Sequence, residues 1–274
     1  LMTVEYKPHS KGFYHAYSLK SLTRLRDRLI RQRSFYLVKI TNVLDHTFPE
    51  FKPFFNERLS KTALYLLENY GSAEKMARMN SVSYEKLRSI SRGKFSPQQF
   101  IALKELAANT VGVNNSIFDV ELNSLYKTLV TEINTLEKEI NLLIEEVHPH
   151  YLSVPGIGSI SAAIIYSEYG DISNFDNPGR MLAFAGIEPG INESGTESHG
   201  GRMVKRGSSQ LRYALINCCL PLIRFDMTFA TYYAKKRAEG KPHRVAITHV
   251  AKKLIRVIYA LERQNTDFCV QKLR

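Results

Sequence analysis

The stretch Leu152-Ser-Val-Pro-Gly-Ile-Gly-Ser-Ile-Ser-Ala-Ala-Ile-Ile-Tyr-Ser-Glu-Tyr-Gly170 places a proline–glycine turn directly before an apolar segment. Pro155 predicts that a preceding helix ends near Tyr151, because proline lacks a backbone N–H and restricts the residue before it. Gly156 and Gly158 predict positive φ angles and a close approach of the backbone within the turn. The stretch is therefore predicted to form two helices joined by a tight hairpin.

The second of these helices is predicted to follow the turn directly. Ser159 or Ser161 is expected to cap its N-terminus, and Gly170 is expected to end it. Apolar residues recur at helical spacing along this segment, which predicts that they face a core. They are Ile160, Ala163, Ile164 and Tyr166.

A hairpin of this kind presents successive backbone N–H groups at the N-terminus of a helix. Such groups bind a phosphate oxygen without reading any base. This is the helix-hairpin-helix pattern of non-specific DNA binding, and Pro155, Gly156, Ile157 and Gly158 are its candidate DNA contacts. The alternative interpretation is a glycine-punctuated turn inside a core.

Short motifs follow the turn in a fixed order. They are Ala185-Gly-Ile-Glu-Pro189, Ser194-Gly195, His199-Gly200, Lys205-Arg-Gly207 and Leu211-Arg212. Together with the turn, this order resembles the C-terminal domain of a family of bacterial insertion-sequence transposases, similar to the Piv DNA invertase and to bridge-RNA-guided recombinases. Members of that family look like RuvC-type nucleases fused to a serine-bearing domain.

The resemblance implies that Ser194 is a nucleophile that forms a covalent serine–DNA intermediate. Such a serine needs an exposed hydroxyl and nearby cations that stabilise negative charge developing on the phosphate. Gly195 would let the backbone approach that phosphate closely. Ser198, Ser208 and Ser209 compete for the role, although the last two are also expected to cap a helix. The further candidate DNA contacts are His199, Arg202, Lys205, Arg206 and Arg212.

The distribution of charge favours a polyanionic partner. The net charge is +12, and residues 196–274 hold 16 Lys and Arg against 5 Asp and Glu. Residues 1–61 hold 12 basic against 5 acidic residues, whereas residues 62–195 hold 10 against 16. Two basic ends therefore flank an acidic middle, a pattern typical of proteins that bind nucleic acid.

A basic helix is predicted from Ser18 to about His46, after an irregular opening that extends to Tyr17. In the resembled family, such a helix follows a RuvC-like domain whose acidic residues bind a divalent metal. No Asp-x-x-Asp pair precedes Ser18, so we expect the chain to be N-terminally truncated and to lack these acidic residues. Mg²⁺ is therefore expected only in a full-length protein, no metal ligand is assigned here, and the chain alone is expected to be inactive.

A long helix is predicted from Asn115 to Val147. Its apolar residues follow heptad spacing, which fits either a dimeric coiled coil or a helix packed against the predicted helix at residues 98–109. In the resembled family a coiled-coil insertion helps to join subunits, which implies a homo-oligomer. Both alternatives remain open.

Less regular structure is predicted after the hairpin. Residues Glu188 to Gly201 are too rich in glycine for regular structure and are interpreted as a polar loop. Asp171 is interpreted as a helix cap rather than a metal ligand. The apolar helix that starts at Leu211 is expected to be interrupted or kinked at Pro221, and two further helices are predicted at residues 225–239 and 245–263.

Several classes of protein are excluded by composition. No apolar run reaches the roughly 18 residues of a membrane span, and no signal peptide is recognised, which indicates a cytoplasmic protein without a membrane partner. Three cysteines, two of them adjacent, form neither a disulfide framework nor a CxxC metal site and are predicted to be reduced and buried.

The sequence thus predicts a mainly α protein with three parts. Residues 1–61 are expected to form the end of a RuvC-like domain and the basic helix, and residues 62–149 a helical linker and coiled coil. Residues 150–274 are expected to form a compact transposase domain. Two functions from different classes remain. One is a transposase or recombinase that acts on DNA, in which a guide RNA is a further partner that the resemblance implies. The other is a non-catalytic module that binds nucleic acid.

Overall fold

The computed structural model describes residues 11–56, 59–113, 116–187, 189–194, 197–203 and 206–269, with the backbone alone at 116–123, 125–129, 189–194 and 197–203. The helices before the proline–glycine turn are α1 (Lys11–Thr47), α2 (Phe51–Phe54), α3 (Lys61–Asn69), α4 (Ala73–Ala77), α5 (Ser81–Ile90), α6 (Pro97–Ala108) and α7 (Ser116–Val147). After them come the 3₁₀ helix η1 (His150–Ser153), α8 (Ser159–Tyr169), the 3₁₀ helix η2 (Ile172–Asn174), α9 (Pro178–Ala185), α10 (Ser209–Phe225), α11 (Met227–Ala238) and α12 (His243–Gln264). The mainly α prediction is therefore confirmed.

Two short strands lie between α9 and α10. The strand β1 (Pro189–Ser194) pairs antiparallel with β2 (Glu197–Met203), with an irregular register between Pro189 and Ile191. The prediction of a loop without regular structure at 188–201 is therefore wrong for the described part of this segment. Backbone hydrogen bonds of a ladder need no side chain, so glycine weakens such a hairpin without preventing it.

The chain forms two compact units. One runs from Arg26 to Thr135, and the other combines residues up to Leu25 with those from Leu136 onward. The three predicted domains remain a prediction, because a unit defined by packing need not coincide with a domain boundary.

The Arg26–Thr135 unit has its own apolar core, which includes Leu66, Met76, Leu87 and Leu103. Its helices begin at residues that satisfy the first free N–H groups: Asn80 and Ser96 form capping boxes with Ser83 and Gln99. Glu50 accepts hydrogen bonds from Thr110 Oγ1 at 2.6 Å and from the Val111 N–H at 3.1 Å. Burial acts to raise the pKa of Glu50, but these two bonds and one from its own backbone N–H together outweigh burial and lower that pKa.

The second unit packs α8, α9, α11 and α12 around α10. The core positions of α12 recur every three or four residues and include Val250, Leu254, Ile258 and Leu261. Two buried tyrosines also bind the backbone: Tyr151 donates to the Ala162 carbonyl at 3.2 Å and Tyr169 to that of Met181 at 3.1 Å. Burial without a bonded partner would cost each hydroxyl free energy, so these bonds fix where α8 lies.

The first helix begins earlier than predicted, at Lys11 rather than Ser18, so the irregular opening up to Tyr17 is wrong from residue 11 onward. Its first turns are held by the end of α7, because Lys11 and His15 lie 2.7 and 3.5 Å from the Glu146 carboxylate. The end of the helix near His46 is confirmed.

Pro221 does not interrupt α10, which continues to Phe225. A proline inside a helix removes the hydrogen bond to the carbonyl four residues earlier. That carbonyl belongs to Asn217, which is exposed, so water can satisfy it. The predicted interruption is therefore wrong, whereas the alternative, a kink at Pro221, stays a prediction.

The long helix is confirmed in its extent as α7. Ile140 and Ile144, near its end, are buried in the same core as Leu19. This part of α7 therefore packs within the chain, and pairing with a second copy remains a prediction. Among the described residues no single helix is long and apolar enough to cross a membrane, although α10 and α11, bent by 105°, meet that test of length and composition as a pair.

Candidate nucleic-acid interface

The proline–glycine turn connects η1 to α8. The Ile157 N–H donates to the Val154 carbonyl at 3.1 Å, which closes the turn. The element before it is one turn of 3₁₀ helix rather than the regular helix predicted to end near Tyr151. The helix-hairpin-helix motif is therefore not confirmed as such, although a tight turn does precede a helix.

The two glycines of the turn differ in what they contact. Gly156 has φ +99°, and a Cβ added there would lie 2.9 Å from Leu222 N and 3.2 Å from the Cys218 carbonyl oxygen. Gly158 has φ −83°, so the predicted positive φ is wrong, and a Cβ there would meet nothing within 4 Å. Gly156 is thus required by the fold, whereas Gly158 faces open space.

Gly158 is also the residue that caps α8. No side chain accepts a hydrogen bond at this N-terminus, so the predicted caps Ser159 and Ser161 are wrong. The first intrahelical bond runs from the Ala162 N–H to the Gly158 carbonyl at 2.9 Å. The N–H groups of residues 159–161 have no carbonyl acceptor within the helix and can bind an anion.

The Ile157 side chain is buried and belongs to the core of this unit. Any contact of Ile157 with DNA would therefore use its backbone. Pro155 is half-buried and Gly158 is exposed. Of the four predicted contacts, Gly156 packs against α10 and Ile157 lies in the core, so only Pro155 and Gly158 reach the surface.

The candidate nucleophile Ser194 ends β1. In the ladder it lies opposite Glu197, and Asn192 lies opposite His199. Arg202 belongs to β2, whereas Gly195 and Lys205 lie outside the described residues, as do the side chains of both strands.

The base of this hairpin is fixed against the end of α9. Gly207 has φ +95°, and a Cβ added there would lie 2.1 Å from the Phe184 carbonyl oxygen. Arg212 Nη1 donates to the carbonyls of Ala185, Arg206 and Gly207 at 3.2–3.3 Å. Because α9 ends at Ala185, the guanidinium binds one carbonyl that the last turn of this helix leaves free, together with two carbonyls of the hairpin base.

These contacts separate the roles of the basic residues in this segment. Arg212 binds the backbone of the hairpin base. The spacing of basic residues in the sequence does not reveal this role. Arg206 is exposed, so its charge is available to an anion. Ser208 caps α10 as predicted, because its Oγ accepts from the Leu211 N–H at 3.2 Å.

The turn and the hairpin base lie at different places along α10. Gly156 packs against α10 at residues 218–222, whereas the hairpin joins it at Ser209. At 1.5 Å per residue these points are roughly 14–20 Å apart along the helix axis. The base of the hairpin therefore joins α10 at a distance from the turn.

Cysteine chemistry and metal binding are not supported by the described residues. All three cysteines are free, and Cys218 and Cys219 are buried as predicted, whereas Cys269 is exposed. Burial raises the pKa of both buried thiols, which disfavours the nucleophilic thiolate. Asp171 caps η2 by accepting from the Ser173 N–H at 2.8 Å, as predicted. The described side chains contain no group of three His, Cys, Asp or Glu that could hold a metal ion, so they do not fit a magnesium site.

One buried carboxylate was not predicted from the sequence. Glu168 on α8 is 7% exposed, its Oε1 lies 3.0 Å from Arg24 Nη2, and its Oε2 lies 3.5 Å from Lys20 Nζ. A buried carboxylate needs such partners, so two cations of α1 neutralise it. The sequence signal was an acidic residue within an apolar helix, but it did not indicate its partners on α1, of which Arg24 is 144 residues away.

Residues 150–234 match the model of the family described as "Transposase IS116/IS110/IS902 family". This segment begins at η1 and includes the turn, both strands and α10. This segment is similar to the transposase domain of that family. The resemblance predicted from the ordered motifs is thereby confirmed.

Three insertion-element and DNA-inverting proteins extend this similarity beyond the matched segment. An insertion element IS110 protein of 43.6 kDa from Streptomyces coelicolor is 29% identical over 84% of this chain and 59% of its own length. The transposase for insertion sequence element IS1111A of Coxiella burnetii is 26% identical over 92% of this chain and 60% of its own length. The pilin gene-inverting protein of Moraxella bovis is 27% identical over 42% of this chain and 37% of its own length. The chain thus spans less than two thirds of the length of each of these relatives.

Proposed function

We propose that this chain is the serine-bearing, DNA-binding part of a transposase that exchanges strands through a serine–DNA phosphodiester. The observation that carries the proposal is the position of Ser194, which ends a β strand inside the segment that matches the transposase family. Ser194 therefore belongs to a hairpin between α9 and α10 rather than to one of the helices of the core. That arrangement suits a nucleophile that must meet a bulky phosphodiester.

In the proposed step, Ser194 Oγ attacks a backbone phosphorus and loses its proton. A new P–O bond forms to the serine, one P–O bond of the DNA backbone breaks, and the departing oxygen leaves as a hydroxyl after taking up a proton. Negative charge rises on the remaining phosphate oxygens during this exchange, and Arg206 is the described cation closest in sequence to the hairpin base that could stabilise it. No step is assigned to a metal, since the described residues do not fit one.

Binding of the substrate is proposed to come before this chemistry. The free N–H groups at the start of α8 would hold one phosphate of duplex DNA, and the hairpin would act on another. Neither contact reads a base, so this chain is expected to bind unrelated sequences about equally. The target sequence would then be chosen by another part of the system, for which a guide RNA is the partner that the family resemblance implies.

The proposal is tested by trapping the covalent intermediate. A protein that joins this chain to a metal-binding nuclease domain, supplied with Mg²⁺ and target DNA, is expected to form a protein–DNA adduct that survives a denaturing gel. Ser194→Ala should abolish the adduct and leave duplex affinity nearly unchanged, because one neutral hydroxyl contributes little to phosphate-dominated binding. The matched variant Ser198→Ala should retain the adduct.

Two results would contradict the proposal. If the adduct persisted in Ser194→Ala and were lost in Ser198→Ala, the nucleophile would be Ser198 instead of Ser194. Strand exchange without any adduct would remove serine catalysis and favour the non-catalytic binding module. Assembly through α7 and a cytoplasmic location remain predictions that this experiment does not address.

A further inference from the structure

The exposed half of α12 carries a row of basic side chains. Residues that face the core fill its other half, among them Val250, Leu254 and Ile258. The exposed basic residues of this half and of the turn before it are Lys241, Arg244, Arg256 and Arg263. At 1.5 Å per residue, the part of this row that lies on the helix extends roughly 28 Å. These four residues are called the α12 basic face.

Few acidic residues accompany this face in the sequence. Residues 235–263 contain nine Lys and Arg against two acids, Glu239 and Glu262. Glu239 binds Lys236 Nζ at 2.8 Å, and Glu262 accepts the Tyr151 N–H at 3.2 Å. Within the described part of the chain neither Arg244 nor Arg256 forms an ion pair, and both are exposed. Their charges are therefore available to an external anion.

Several lysines also converge near the N-terminal half of α12. Burial lowers the pKa of His249, and the positive charges of Lys252, Lys236 and Lys241 lower it further. Burial is the largest cause of this shift and Glu239 opposes it, but the three lysines lie close enough to contribute a positive potential at this end of the face. That potential is the electrostatic signature of a surface that binds a polyanion.

The phenylalanine and tyrosine residues of α11 and α12 do not provide a platform for unpaired bases. None of their side chains is exposed, and the Tyr259 hydroxyl is already bound to the Asp176 carbonyl at 2.8 Å. Lys253 Nζ lies 5.1 Å from the ring centres of both Phe229 and Tyr232, which occupies those rings with a cation. Proteins that bind single strands combine cations with exposed aromatic rings, so this face fits a duplex better.

We propose that the α12 basic face binds the phosphate backbone of duplex DNA, outside the turn and the serine hairpin. A row of charges fixed along a straight helix matches a stiff duplex, whose phosphates lie in regular rows. This inference rests on the proposed function in one respect, namely that the bound duplex is DNA rather than RNA. It adds a contact surface that holds flanking DNA while the hairpin acts elsewhere.

The test removes charge from the face without changing its packing. Arg244→Gln/Arg256→Gln is compared in the complete 274-residue chain with Lys61→Gln/Lys86→Gln, which removes two exposed cations of the Arg26–Thr135 unit. Affinity for a mixed-sequence DNA duplex is measured by fluorescence anisotropy at several salt concentrations. Losing two phosphate contacts should make the slope of log affinity against log salt shallower by about 1.8. The affinity advantage of the unmodified chain should then shrink about 12-fold between about 50 and 200 mM salt.

Three outcomes would overturn the proposal. One is a slope for Arg244→Gln/Arg256→Gln that equals the slope of the control pair. Another is a change of slope for duplex RNA without a change for duplex DNA, and the third is an equal change for single-stranded DNA. Ser194→Ala should bind the duplex with an unchanged slope, so failure of serine catalysis and failure of this surface are distinguishable.

Discussion

The proline–glycine turn and the base of the serine hairpin both depend on a glycine that packs against a distant backbone. At the turn, Gly156 approaches α10, while its neighbour Gly158 stays open. At the hairpin base, Gly207 approaches the end of α9, and Arg212 binds the same carbonyl-rich end. The glycines of these motifs therefore serve two purposes. Gly156 and Gly207 allow two backbone segments to pack closely, whereas Gly158 leaves space for a ligand.

The largest loss of stability is expected from a substitution at the hairpin base. Gly207→Ala combines a positive φ with a Cβ that would overlap the Phe184 carbonyl, so we expect a loss of about 3 kcal/mol in the free energy of unfolding. Gly240→Ala is the matched control, because Gly240 has φ +77° and no atom within 4 Å of an added Cβ. It should lose only about 1 kcal/mol, the cost of the left-handed backbone alone. Urea denaturation of both variants measures the difference, and equal losses would mean that the contact with Phe184 is unimportant.

A smaller loss is expected at the turn. An alanine at Gly156 would be strained by φ +99° and would meet the α10 backbone at 2.9–3.2 Å, less closely than at Gly207. We therefore expect Gly156→Ala to destabilise the chain by about 2 kcal/mol, between the two previous variants. The same denaturation experiment checks this order. A loss no greater than that of Gly240→Ala would show that the turn can move away from α10.

The smallest effect on stability is expected at Gly158. Its backbone angles suit alanine, and the entropic gain of about 0.4–1 kcal/mol opposes the poorer capping by alanine. The free energy of unfolding should change by less than about 0.5 kcal/mol. Duplex affinity should fall about fivefold, since a methyl group would obstruct one hydrogen bond of about 1 kcal/mol from the start of α8. Unchanged affinity would remove the turn from the DNA interface.

Much of the fold was predictable because the patterns that specify it are local. Apolar residues at helical spacing predicted α7, α8 and α12, and Ser208 and Asp171 cap the elements where sequence placed caps. The turn was predictable from Pro155 and its glycines. Its partner was not, because the contact of Gly156 with α10 joins residues more than sixty positions apart.

The candidate site was less predictable than the fold. The order of short motifs indicated the family and singled out Ser194, but no spacing shows that Arg212 Nη1 binds three carbonyls. The hairpin was missed because glycine content predicts a loop, whereas pairing of two neighbouring strands depends on context. Counting charges likewise could not separate Lys20 and Arg24, which neutralise Glu168, from Arg244 and Arg256, whose charges remain exposed.

The most direct test of the central claim is to identify the residue that carries the DNA. The adduct formed by the complete transposase would be digested with protease and nuclease, and the peptide that retains a nucleotide would be sequenced by mass spectrometry. If Ser194 is the nucleophile, the nucleotide will be attached to Ser194, at the end of β1. Attachment to Ser198, to another residue of the chain, or to a residue outside it would contradict the account.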